Sequence, residues 1–322
     1  MKPTPSAEHV RALLMLLLAN FFWGLSFPLI KAITLLHAQL LPGAGTWFSA
    51  VYTVAPRFLL AVVILLVLRP RDAWRATASE WRQGIMLGLF AAGGMLLQND
   101  GLQFTAASTS AFLTQFYAIL IPIWVAVRAR RNPGGRIWVA CGMVLAGVAI
   151  LGRFDWHELR LGRGEAETLL SSLFFMGQIL ALERPEFRGN RPDRITLVMF
   201  ATEALIFWAM AGLTAPQPEA LLVPWSSPAW LGFTVALAVF CTLGAFSLMN
   251  TWQPKITATE AGLIYCIEPI FGSAMALVLP AWFSRWAAID YPNESATWTL
   301  LAGGGLITAA NVVVQLKPPA RD

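Results

Sequence analysis

Four ionisable residues lie inside long apolar runs of the sequence: Arg57, Glu203, Glu260 and Glu268. Burying such a group in hydrocarbon costs about 2.5 kcal/mol or more, so each is a candidate for chemistry. Glu268 stands beside Pro269, and a proline frees a backbone carbonyl that can line a cavity. A carboxylate withdrawn from water can hold a proton at physiological pH and release it when wetted, which suits proton coupling. The competing reading of Glu268 is a structural glutamate bonded to a neighbouring helix. Arg57 follows Pro56 and cannot lose its charge. It either pairs with a carboxylate, holds an anionic group of a solute, or snorkels to the headgroups. Glu203 reads as structural. Glu260 reads as a helix cap, where a carboxylate meets the positive end of the helix dipole.

Around these charges the sequence offers uncharged polar and aromatic residues suited to lining a cavity: Asn20, Trp23, Gln98, Gln115, Tyr117, Gln178 and Tyr265. Each taken alone is better explained by an interhelical hydrogen bond. Other chemistries find no support. His9, His37 and His157 read as loop or tail residues far apart, and no His-Glu-x-x-His or paired-aspartate pattern occurs. Cys141, Cys241 and Cys266 sit in apolar runs without metal-ligand spacing and read as inert core residues. No Gly-x-x-x-x-Gly-Lys-Ser/Thr element is present, so an ATP-driven cycle is not expected. Neither a cofactor nor a metal is expected.

The elements that would position these groups follow from composition. Of the 322 residues, 57% are hydrophobic and 13% charged, against about 25% charged in ordinary soluble domains. The mean hydropathy is +0.61. The apolar residues come in blocks near the ~20 residues that cross a bilayer, so lipid is the solvent. Ten helices are expected, at 12–33, 46–68, 83–99, 107–127, 136–152, 166–183, 195–213, 228–249, 258–281 and 297–316, the third and sixth being the shortest. The first is too long for a signal-peptide core and no small-x-small cleavage site follows it. With Lys31 and Arg57 inside helices, 17 of the 23 Lys and Arg fall on one side of this topology and four on the other. The basic excess marks the cytoplasmic side, so both termini are expected there, in a multi-pass protein of the cell inner membrane. The net charge of +5 is then an orientation signal, and no nucleic acid partner is implied. Trp47, Trp138, Trp225, Trp230, Trp282, Trp286, Tyr291 and Trp298 fall near helix ends, where interfacial anchoring is expected.

An odd number of helices per half inverts the second half relative to the first. Residues 105–117 line up with 256–268 at a constant offset of 151, both segments opening with small and hydroxyl residues before turning apolar. This alignment equates Tyr117 with Glu268 and Thr114 with Tyr265, facing one another across a pseudo-twofold axis. Gly142, Ala146 and Gly147 in the fifth helix match the small residues Gly303, Gly304 and Gly305 in the tenth, with helix packing as their default role. The expected fold class is an all-α membrane protein of ten transmembrane helices in two inverted five-helix repeats, divided into 1–152 and 153–322.

Several segments resemble one known family. Residues 19–31, centred on Trp23-Gly24, resemble the opening signature of EamA-type members of the drug/metabolite transporter superfamily. Pro56-Arg57-Phe58-Leu59-Leu60-Ala61 is similar to that family's second-helix element, residues 101–113 with Tyr117 and Pro122 to its third-to-fourth helix segment, and residues 261–270 with Glu268-Pro269 to its second-half Glu-Pro element. The resemblance implies ten helices in two inverted repeats and export or exchange of a small metabolite or drug-like solute through a central cavity, as a monomer or homodimer. A proton or counter-substrate and the lipid bilayer are the other expected partners. Two departures stand out. Phe174-Phe175-Met176-Gly177 replaces an expected tryptophan, and the connection 280–296, with Trp282 and Trp286, is long. The rival reading is a membrane-embedded enzyme acting on a lipid or small molecule.

Overall fold

The computed structural model describes residues 7–68, 75–128, 130, 134–151, 161–256, 261 and 264–315. Glu260 and His157 lie outside the described residues, as do several of the basic loop residues counted above. The described residues are helical and contain no strand. The helices are α1 (Ala7–Leu40), α2 (Thr46–Leu68), α3 (Ala78–Gly101), α4 (Ala107–Thr114), α5 (Tyr117–Arg128), α6 (Gly135–Leu151) and α7 (Arg163–Leu182). They continue as α8 (Pro192–Thr214), α9 (Pro228–Ala236), a π-helical segment (Leu237–Gly244), α10 (Ala245–Trp252), α11 (Glu268–Ala276), α12 (Leu279–Ala287) and α13 (Trp298–Gln315).

Among the described residues, five stretches are long and apolar enough to cross a bilayer: Ala7–Leu40, Thr46–Leu68, Ala107–Arg128, Pro192–Thr214 and Pro228–Lys255. Gly135–Gly147 and Trp298–Val313 are shorter apolar helices. Large apolar side chains such as Leu14, Val63, Leu145, Leu205 and Leu301 remain exposed around the bundle, as expected of a surface solvated by lipid. The chain is a multi-helix membrane protein.

The third and sixth expected helices are not the shortest. α3 has 24 residues and α7 has 20. Their hydropathy is diluted because they pack closely through glycine. The side chain of Phe175 crosses the space over Gly94, and the backbones meet where a Cβ on Gly101 would lie 2.8 Å from the Gly164 carbonyl. At its start α3 carries a capping box, Thr77 Oγ1 accepting from Glu80 N while Glu80 accepts from Thr77 N. α1 also outruns its expected range. Polar Glu8, His9 and His37 ended the apolar run, yet helical hydrogen bonding continues through them for 34 residues.

Two expected helices are interrupted. The stretch 107–127 breaks at Gln115 and Phe116 between α4 and α5, and the stretch 258–281 breaks at Cys266 and Ile267 before α11. The two breaks fall 151 residues apart and share a bond pattern. Phe116 N donates to Leu113 O as Ile267 N does to Ile264 O, and Ile119 N donates to Phe116 O as Ile270 N does to Ile267 O. Pro269 at the start of α11 brings no N–H to the ladder. The helix 228–249 likewise holds the π turn, which apolar patterning does not distinguish from α-helix.

Packing of the elements has a symmetry of its own. α1 packs on α10 and α11, as α7 packs on α3 and α4. α2 packs on α8, α4 on α11 and α6 on α13. Of the small residues shared by α6 and α13, Gly147 packs against Gly303 and Ile307, and Gly304 against the Phe112 ring, whereas Gly142 and Gly305 face open space.

The anchoring assignments need correction. Trp282, Trp286 and Trp298 are exposed, but Trp230 and Tyr291 are buried. His37 is not in a loop. It sits in the last turn of α1, fully buried, with Nδ1 at 3.1 Å from Ser49 Oγ and Nε2 accepting the Trp230 indole N–H at 2.8 Å. His9 is also in α1. The long connection 280–296 is partly helical as α12, whose Trp286 ring packs on Gly232 and Phe233 of α9.

Candidate functional site

Where the broken helices meet α1, α2, α3, α7 and the π segment, they surround a cavity. Trp23, Arg57, Gln98, Tyr117, Gln178, Tyr265 and Glu268 all line it. Asn20 and Gln115 do not. Asn20 turns its amide back to Leu16 O of its own helix at 2.7 Å. Gln115 supports the wall from behind, its Nε2 donating to Glu268 Oε2 at 3.1 Å.

Each wall residue is set by the break or helix that carries it. Glu268 is the first residue of α11 and is buried, so its carboxylate enters the cavity at a helix start. Tyr117, the first residue of α5, and Tyr265, just before the second break, lie close enough to interact electrostatically with Glu268. Tyr265 gives its hydroxyl to Gln253 Oε1 at 2.7 Å. Across the cavity Gln98 Nε2 donates to Thr114 Oγ1 at 2.8 Å, which ties α3 to α4. Gln178 Nε2 reaches the Met199 sulfur at 3.8 Å.

Arg57 is 3% exposed and projects from α2 with Nη2 on the Met95 sulfur at 2.9 Å. Its Nε and Nη1 have no hydrogen-bond partner. The snorkelling reading is therefore wrong, because the guanidinium stays in the interior beside the cavity. Trp23 stacks edge-on against Phe246 at 5.3 Å and Tyr265 at 5.8 Å, and its indole Nε1 is also unpartnered. Unused buried donors around such a space are free to bond a molecule that enters it. The wall thus combines free N–H groups, one carboxylate and an aromatic and thioether surface.

Much of that wall was not anticipated: Ser26, Phe27, Met95, Phe175, Cys241 and Phe246 also face the cavity. They carry no sequence signal, because in lipid every face of a helix is apolar. Cys241 belongs to the π segment, is buried in the apolar core as expected, and also borders the cavity. Glu203 is buried but lies behind the wall, and neither of its oxygens has a hydrogen-bond partner.

At the end of the bundle where α1 finishes, polar ties join several of the elements. Lys31 Nζ donates to the carbonyls of Leu102, Gln103 and Thr105 at 2.7, 3.2 and 3.1 Å, capping the turn between α3 and α4. Glu294 accepts from the backbone N–H of Ala107 at 2.8 Å and from the Ser108 hydroxyl at the start of α4. Arg163 pairs with Asp100 and, at 2.8 Å, with Glu167, and Thr105 donates to Glu165 at 2.6 Å. At the other end Glu80 bridges α3 to α8, accepting from Arg191 N at 3.0 Å and Arg194 Nη1 at 3.3 Å. None of these ties was anticipated. Only Glu80 had a local signal, the Thr77-x-x-Glu80 capping pattern.

Comparison with known proteins agrees with this architecture. Residues 10–153 match the EamA-like transporter family. The chain is 24% identical over 329 residues to an uncharacterized transporter of Archaeoglobus fulgidus, covering 98% of this chain and 90% of that protein. A solved structure described only as the crystal structure of a protein superimposes with a TM-score of 0.57 at 15% identity, covering 94% of this chain and 96% of the other, a likeness of fold alone. The first half of the chain is thus similar to EamA-like transporter domains, in keeping with the resemblance to EamA-type drug/metabolite transporters read from the sequence.

Proposed function

We propose that the protein is a secondary transporter that carries a small solute by alternating access around the central cavity, with Glu268 as its proton-coupling residue. The single observation that carries this reading is the placement of a buried carboxylate at a helix break on the wall of an interior cavity. Broken helices meeting at a cavity are the usual way a transporter presents polar groups at mid-membrane depth.

In this reading ten helices cross the inner membrane as two inverted repeats, 1–152 and 153–322, with both termini cytoplasmic. Three features support it: breaks 151 residues apart with matching hydrogen bonds, a packing pattern preserved when the halves are exchanged, and the asymmetry of basic residues. The ties of Lys31, Glu294 and Arg163 hold one entrance shut. Opening it while the Tyr265–Gln253 end closes is the rocking step.

The test is reconstitution in liposomes holding a pH-sensitive dye, with pooled metabolites presented to wild type and Glu268→Gln. Solute-dependent proton flux in wild type and none in the variant is expected. Labelled uptake without proton movement in either would remove Glu268 from coupling. No movement of any member of a broad pool would overturn the transporter reading.

A further inference from the structure

The two helix breaks are joined by one hydrogen bond. Gln115 lies in the break between α4 and α5, and Glu268 is the first residue after the break that precedes α11, 153 residues further along the chain. Gln115 Nε2 donates to Glu268 Oε2 at 3.1 Å, and among the described residues this is the only hydrogen bond that the Glu268 side chain accepts. Glu268 Oε1 is left to the cavity that the residue lines. The amide of Gln115 is 0% exposed, and its own Oε1 has no partner. A buried glutamine that served only to hold helices together would bond at both ends, because an unpaired buried acceptor destabilises the fold.

A coupling carboxylate needs a proton affinity that differs between the two states of the cycle, since surroundings that the motion leaves unchanged give the proton no preference. A donated hydrogen bond favours the charged form of a carboxylate. The titratable groups near Glu268 are Tyr117 of α5 and Tyr265, with Cys266 beside Tyr117. Arg57 of α2 and Cys241 of the π segment line the same cavity, whereas α1 and α4, on which α11 packs, bring no titratable side chain to it. None of these groups bonds the carboxylate, and Tyr265 gives its hydroxyl to Gln253 instead. The donor is Gln115, and it stands at the break in the other half of the chain.

We propose that Gln115 is the positioning residue that makes the proton affinity of Glu268 depend on the state of the transporter. The inference rests on the reading of Glu268 as the coupling residue between two halves that rock. With the bond made, Oε2 is held as an acceptor and Oε1 faces the cavity on a charged carboxylate. As the halves rock, α4 and α11 shift against each other and the bond lengthens. Glu268 then loses its one donor and takes a proton from water on the side to which the cavity is open, forming an O–H bond on Oε1. When the bond re-forms, that proton leaves to water on the other side. One proton is taken up and one released in each cycle, and Gln115 itself neither gains nor loses one.

Two measurements on the full chain in liposomes test this. Infrared difference spectra over a pH titration follow the carbonyl absorption of the protonated Glu268 carboxyl, identified by its loss in Glu268→Gln. Gln115→Met, which keeps an unbranched side chain and removes the donor, should carry that absorption to a pH about one unit higher than wild type. Gln115→Leu serves as a second variant with the same expectation if the methionine variant does not fold. In the pH-dye assay with pooled metabolites, the solute that moves in wild type should still move in Gln115→Met, with about tenfold less proton movement per labelled solute. An unshifted titration in the variant, or a shifted one with proton movement per solute unchanged, overturns the inference and leaves Glu268 as the coupling residue. A wild type that moves solute without protons removes the reading of Glu268 itself, and this inference with it.

Discussion

Glu294 makes the sharpest test of whether the closed end of the bundle is a gate. From the extended segment after α12 it caps α4, accepting from Ala107 N at 2.8 Å, from Ser108 N at 3.5 Å and from the Ser108 hydroxyl. An N-cap contributes about 0.5–2 kcal/mol and a hydrogen bond to a charged group about 1.5–3 kcal/mol. Glu294→Ala should therefore remove about 2 kcal/mol from the state that contains the tie. If the tie exists only while this end is shut, the balance moves toward the open state by roughly 30-fold. The assay is the labelling rate of a cysteine replacing Ser26 on the cavity wall, with Cys141, Cys241 and Cys266 replaced by alanine and a membrane-impermeant maleimide supplied from the Glu294 side. The rate should rise by that factor, as far as the closed population allows. An unchanged labelling rate accompanied by a fall in thermal stability of the same energy would refute the gate, because Glu294 would then hold the fold in every state.

Two further outcomes check the packing. Gly84→Ala places a Cβ 2.6 Å from Val198 Cβ, so it should force α3 and α8 apart at a cost of about 1–3 kcal/mol in detergent unfolding, whereas Gly142→Ala, with nothing within 4 Å, should stay within about 0.5 kcal/mol of wild type. His37→Leu strands the buried Trp230 indole N–H and should cost about 1–3 kcal/mol; a double-mutant cycle with Trp230→Phe that is simply additive would show that their 2.8 Å hydrogen bond contributes nothing.

The location of helices was largely legible because lipid demands long apolar runs. The ranges 46–68, 195–213 and 228–249 lie within a few residues of Thr46–Leu68, Pro192–Thr214 and the α9–α10 stretch. Their ends were less legible. Polar residues such as Glu8, His9 and His37 belong to α1 although they end its apolar run, because helical hydrogen bonding does not stop at the edge of hydrocarbon. For the site, most of the ionisable or polar candidates in apolar runs line one cavity. Asn20 failed because its amide is satisfied four residues back on its own helix, a choice that spacing does not record.

By itself the sequence determined membrane residence, the approximate helical segments, an offset of 151 between two similar segments and the few buried charges, since each follows from residue types along the chain. Only the tertiary structure decided which of those charges share a space and which stand behind the wall. In lipid all faces of a helix are apolar, so no amphipathic period says which way a side chain points. Partners such as Gln115 and Glu268, 153 residues apart, or Lys31 and Leu102, 71 apart, are chosen by packing between distant segments. The same packing leaves polar atoms of Arg57 and Glu203 buried without a hydrogen-bond partner, an arrangement written in no local pattern.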